Sequence, residues 1–143
     1  MTPARRFAEG TQVSVDSSRG EITGILTKHG VARMAWASEP EGDQLTFELA
    51  GHRFLFRIAR PTTAEVQRMY PNAYDYGAKL AAEWRRRWRA NVLLLKAKLE
   101  FAEGEASTVM RELMPYALLV DGRTLEEAIV SGDASVPLLG TGR

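Results

Sequence analysis

Cysteine is absent from the 143-residue chain, and its absence removes disulfides, thiolate catalysis and cysteine zinc sites. Histidine occurs twice, as His29 and His52, and neither has a second histidine or a carboxylate at ligand spacing. A cation at His29, near the C-terminus of a helix, is a sufficient reason for that residue. No apolar run reaches the roughly 18–20 residues that cross a bilayer. The start "MTPARRFAEG" lacks the apolar stretch of a secretory signal. A cytoplasmic location with no membrane partner is the default that follows. The patterns GxxxxGK[ST], GxGxxG and GxSxG do not occur, so neither a phosphate-binding loop nor a nucleophile elbow is expected. An enzymatic role, a metal and a cofactor are therefore not expected.

What is present is charge, and it is unevenly placed. The net formal charge is +1, yet residues 52–98 hold eleven Lys or Arg against three Asp or Glu. Residues 99–143 hold three basic and eight acidic side chains, and residues 1–51 hold five and seven. A protein's field follows where charges cluster, so the middle of the chain is the part suited to an anionic partner.

Periodicity divides the chain into elements. Residues 1–11 read as an extended tail. "VSVDSSRGEITGILTKHG" predicts a short strand leading into a helix, with Ser18 and Glu21 at capping-box spacing. Ile22, Ile25 and Leu26 give that helix an apolar face, and Gly30 stops it. The period then changes from about 3.6 to 2. "VARMAWA", "QLTFELA" and "RFLFRIA" alternate, presenting Met34 and Trp36, then Leu45, Phe47 and Leu49, then Phe54, Phe56 and Ile58 on one face. Separated by "SEPEGD" and "AGH", they form an antiparallel meander with one buried face. A short helix is predicted over 62–69 and a long one over 74–103, its apolar stripe running from Leu80 through Trp84, Trp88, Val92, Leu95 and Leu99. Short helices follow in "STVMRELM" and after the Thr124–Glu127 capping box, with 132–143 as an extended tail. The expected fold is a single α+β domain over 1–143: a three-stranded or slightly larger antiparallel sheet packed against one long helix, with short flanking helices.

Three segments, "SRGEITGILTKHG", "RRRWRANVLLLKAKLE" and "DGRTLEEA", in that order and spacing, resemble a group of small proteins of tailed phages and prophages. The resemblance covers most of the chain and its motifs are structural. It implies a phage-borne accessory protein of the host cytoplasm, or a virion component, and brings no catalytic or binding residue with it.

"EWRRRWR", residues 83–89, is the most conspicuous candidate site. At about 100° per residue, Trp84 and Trp88 fall on the core stripe, while Arg85, Arg89 and Lys96 share a flank and Arg86 lies further round. The arginines, with Arg53 and Arg57 on the open sheet face, suit the phosphates of nucleic acid. Tyr74 and Tyr76 can stack bases, line a pocket, or simply pack the start of the long helix. Val92, Leu93, Leu94 and Leu95 point to all quarters of the helix, which suggests a homo-oligomer buried through Val92, Leu93 and Leu94. The acids of "SEPEGD" read more readily as a solvated turn than as a cation site. Three functions stand open: a non-enzymatic nucleic-acid-binding accessory protein; an anti-defence protein that sequesters an anionic nucleotide or a host protein in an oligomer cleft; and a structural subunit.

Overall fold

A computed structural model describes residues 6–104 and 107–132, in an α+β arrangement. Its first helix, α1 (Val15–Lys28), begins one turn earlier than the capping box at Ser18 predicts. The Ser14 hydroxyl accepts from the Ser17 N–H at 3.1 Å, so the free donors of the first turn are met there. Among the described residues no strand precedes the helix, and Ser18 is buried one turn inside it. Ile22 and Leu26 carry the buried face, and Gly30, at φ 94°, follows the helix end.

Three strands follow: β1 (Met34–Glu39), β2 (Gly42–Leu49) and β3 (His52–Ala59), paired antiparallel in chain order. The register sets Trp36 opposite Leu45 and Leu45 opposite Phe56, so the alternating apolar residues line up across all three strands. Leu45, Phe47, Phe54, Phe56 and Ile58 are buried on that face. They meet Trp88, Val92, Leu95 and Leu99 of the long helix α3 (Tyr76–Gly104) and Ile22 and Leu26 of α1 in one continuous core.

Between sheet and long helix lies α2 (Thr63–Met69), opened by a capping box in which Thr62 and Glu65 exchange hydrogen bonds. After α3 come α4 (Val109–Leu113), a single 3₁₀ turn at Met114–Tyr116, and α5 (Leu125–Val130). The capping box expected at Thr124 and Glu127 starts α5. The Leu118 N–H donates to the Arg53 carbonyl at 2.9 Å, and Phe54 bridges Ala117. The outer edge of β3 is thereby partly paired. The tail expected at 132–143 lies outside the described residues from 133 onward. At the other end, the residues described from 6 to 11 are no extended tail but a turn, fixed to α3 by the contacts given below.

The two hairpins tolerate substitution differently. At Gly42 φ is 150°, and a Cβ there would sit 2.2 Å from the Ile58 carbonyl oxygen. Gly51 has φ 79° with no atom within 4 Å of an added Cβ. Gly42→Ala is therefore expected to cost about 1–3 kcal/mol through a forced backbone shift. Gly51→Ala is expected to cost only the left-handed backbone penalty of about 1–2 kcal/mol. Chemical denaturation of the two variants beside the parent protein measures the difference.

Candidate functional site

Helical geometry divides "EWRRRWR" as its spacing predicts for the tryptophans, but not for the arginines. Trp88 is completely buried, stacked on Trp36 of β1 with ring centroids 5.4 Å apart and meeting Trp84 edge-on at 5.9 Å. Trp84 is only half-buried, and the Arg60 guanidinium lies over it at 4.4 Å. Arg19 of α1 covers Trp36 and Trp88 at 5.4 and 5.1 Å and reaches the buried carboxylate of Asp43 at 3.1 Å. All three tryptophans thus sit under cations at one corner, where a face-on guanidinium is attracted by the ring quadrupole.

Glu83 holds the arginines. Its side chain is 1% exposed, and three guanidinia surround it. Arg86 Nε and Nη2 donate to its two oxygens at 2.8 and 3.0 Å. Arg87 Nε donates at 2.9 Å, and Arg6 Nη1 lies 2.8 Å away. Each arginine then extends to a different element. Arg87 Nη2 reaches Glu65 of α2 at 2.6 Å and its Nη1 reaches the Ala59 carbonyl at the end of β3 at 2.9 Å. Arg86 Nη1 donates to the Phe7 carbonyl at 3.1 Å, and Arg6 Nη2 donates to the Tyr70 hydroxyl at 3.3 Å. The cluster ties the N-terminal turn, α2 and the end of β3 to one turn of α3.

The electrostatics follow. Burial opposes ionisation of Glu83, but the hydrogen bonds from Arg86, Arg87 and Arg6 outweigh it and lower its pKa from 4.5 to about 2. Glu65 is also held below the ordinary carboxylate value, first by Arg87 and then by the Thr62 backbone N–H.

This arrangement corrects the picture of a free arginine flank. Arg86 is engaged inside the molecule by Glu83 and the Phe7 carbonyl, and Arg89 Nη1 lies 2.7 Å from Glu21 of α1. Arg85 is half-buried with its Nε enclosed. Lys96 is exposed and without an ion-pair partner among the described residues. On the sheet's outward face, Arg53 pairs with Glu48 at 2.9 Å and Arg57 with Glu127 at 3.0 Å, all four side chains remaining well exposed. Tyr74 stands fully in solvent, whereas the Tyr76 hydroxyl donates to the Tyr70 and Pro71 carbonyls at 3.1 Å. The two tyrosines therefore do not converge on one pocket; Tyr76 instead fastens the turn that precedes its own helix.

The proposed oligomer surface also changes. Val92 is completely buried within the chain and is not available to a partner, Leu93 is half-buried, and Leu94 is 39% exposed. Sheet, α1, α2 and α4 all pack on α3, so most of its circumference is used internally. His29 lies beside a carboxylate after all: its Nδ1 is 2.8 Å from Glu103, which joins the ends of α1 and α3. Among the described residues no three His, Asp or Glu side chains gather to hold a metal.

Arg6, Arg19 and Arg60 carry no local signal because their partners lie far away in the chain, and Asp43, expected in a solvated turn with the other acids of "SEPEGD", is instead buried against Arg19 and Arg60. Glu65 does carry a local signal, the T-x-x-E spacing from Thr62. The chain matches no protein-family model, no curated protein and no solved structure.

Glu83→Gln leaves three guanidinia around a neutral amide, so a loss of about 3 kcal/mol or more is expected at pH 7. The depressed pKa means that Glu83 stabilises fully above pH 4.5 and loses that contribution as pH falls toward about 2. Urea denaturation across this range should show the gap between parent and Glu83→Gln closing as the acid end is approached.

Proposed function

We propose that this chain is a non-enzymatic accessory protein that binds nucleic acid through its phosphates. The contact is made by the outward face of the sheet rather than by the helix flank. One observation carries this reading: among the arginines singled out from the sequence, Arg53 and Arg57 are the most solvent-accessible, with side chains 67% and 42% exposed. Their partners Glu48 and Glu127 are exposed as well, and such surface pairs contribute little, about 0–1 kcal/mol. A phosphate can displace a partner held that weakly. Arg86 and Arg87, by contrast, would leave a buried carboxylate behind if they turned outward. Phosphate recognition needs cations in a row rather than an enclosed pocket, and the antiparallel pairing of β2 and β3 sets Arg53 and Arg57 two strand positions either side of Leu55.

Binding to generic single- and double-stranded oligonucleotides, followed by fluorescence anisotropy against salt, tests this reading. Arg53→Glu with Arg57→Glu is expected to abolish binding, and removing two phosphate contacts by alanine should reduce the salt slope by about 2. Arg85→Glu with Arg89→Glu should have the smaller effect. No binding at low salt, or loss only in the helix pair, overturns the proposal.

A further inference from the structure

The two edges of the sheet are treated differently. The β3 edge is partly paired by Ala117 and Leu118, but nothing among the described residues pairs with the free side of β1. A bare edge is an open row of hydrogen-bonding groups, and proteins ordinarily blunt it with lysine, proline, a bulge or a covering segment. β1, "MAWASE", has no lysine or proline, and its register runs unbroken from Met34 to Glu39. Ala35, Ala37, Ser38 and Glu39 are exposed.

The orientation of the free groups follows from the ladder. Glu48 N–H donates to the Arg33 carbonyl at 3.2 Å, so odd-numbered residues of this strand turn their backbone groups toward β2. The N–H and C=O of Met34, Trp36 and Ser38 therefore face outward. An antiparallel strand centred on Trp36 would meet these groups in register, Trp36 with Trp36 and Met34 with Ser38.

The flanking charges select the occupant. Arg33 and Glu39 stand three residues either side of Trp36, both exposed and neither with an ion-pair partner among the described residues. In a two-fold pairing about Trp36, Arg33 of each chain falls opposite Glu39 of the other, twice per interface. The segment "RMAWASE" is thus complementary to itself in charge and in hydrogen bonding when run antiparallel. We infer that β1 is a self-association edge, which joins two copies into a continuous six-stranded antiparallel sheet. The pairing uses the backbone edge of β1 and not Arg53 or Arg57, so it does not depend on the nucleic-acid reading, although Arg33 lies on the same sheet face, across Glu48 from Arg53.

The test uses the full chain and sedimentation equilibrium. The parent protein is expected to be a dimer, with the Met34, Trp36 and Ser38 amides protected from hydrogen exchange. Arg33→Glu and Glu39→Arg each place like charges opposite one another, and each should weaken the dimer on the order of tenfold or more. Mixing these two variants restores both pairs, so a heterodimer should form where neither variant self-associates. Ser38→Pro removes an outward N–H that β2 does not use, so it should give a folded monomer by circular dichroism. A monomeric parent protein overturns the inference, including one with those amides protected, which would mean that another segment covers the edge. Dimers that persist unchanged in all three variants overturn it equally.

Discussion

A carboxylate placed where water cannot reach it must be met by cations, and that requirement at Glu83 organises the crowded end of this molecule. One buried acid on α3 draws in Arg6, Arg86 and Arg87, and each guanidinium has donors left over. Those surplus donors reach Tyr70, Phe7, Ala59 and Glu65, so the charge balance of a single side chain fixes the N-terminal turn, the end of β3 and α2. Arginine suits this role because its planar fork serves several acceptors at once, where lysine offers a single point charge. Orientation is what the cluster supplies best. Ion pairs of this kind are weak sources of net stability compared with apolar packing, but breaking one partner is expensive.

The uneven charge along the chain therefore has two meanings. In "EWRRRWR" most of the excess is consumed within the fold, by Glu83 three and four residues from its partners Arg86 and Arg87, by Glu65 from α2 and by Glu21 from α1. On the sheet it lies in solvent, balanced loosely by Glu48 and Glu127. The acidic last third does meet the basic middle, but through Glu127 on Arg57, while the helix arginines are answered from earlier in the chain. Counting charges in a window cannot separate these cases; the exposure of the counter-ion can.

What the sequence discloses is what short range determines. The three alternating runs and the stripe through Trp88, Val92, Leu95 and Leu99 predict the sheet, the long helix and the core between them, because a period of two or of 3.6 is written in neighbouring residues. The Thr124–Glu127 box marks α5 for the same reason. The start of α1 differs from the expected one because "SVDSS" offers several residues able to cap, and only packing of Ser18 inward decides among them. The site was less legible. Arg6 and Glu83 are separated in the chain by two whole helices and the sheet, and Arg19 is 24 residues from Asp43, so no local pattern announces either pair. Val92 lies inside rather than on the expected outer surface because a helix apolar on several sides can be enclosed by its own chain once α1, α2, α4 and the sheet all pack against it.

All three tryptophans of the chain stand together at one corner, beneath Arg19 and Arg60. The intrinsic fluorescence of the protein is in consequence a local reporter. It senses whether α1, β1 and the first half of α3 remain in contact, and is silent about α4, α5 and the far end of the long helix. An unfolding curve followed by emission describes the opening of that corner, and agrees with one followed by backbone signal only if the whole chain opens as a unit.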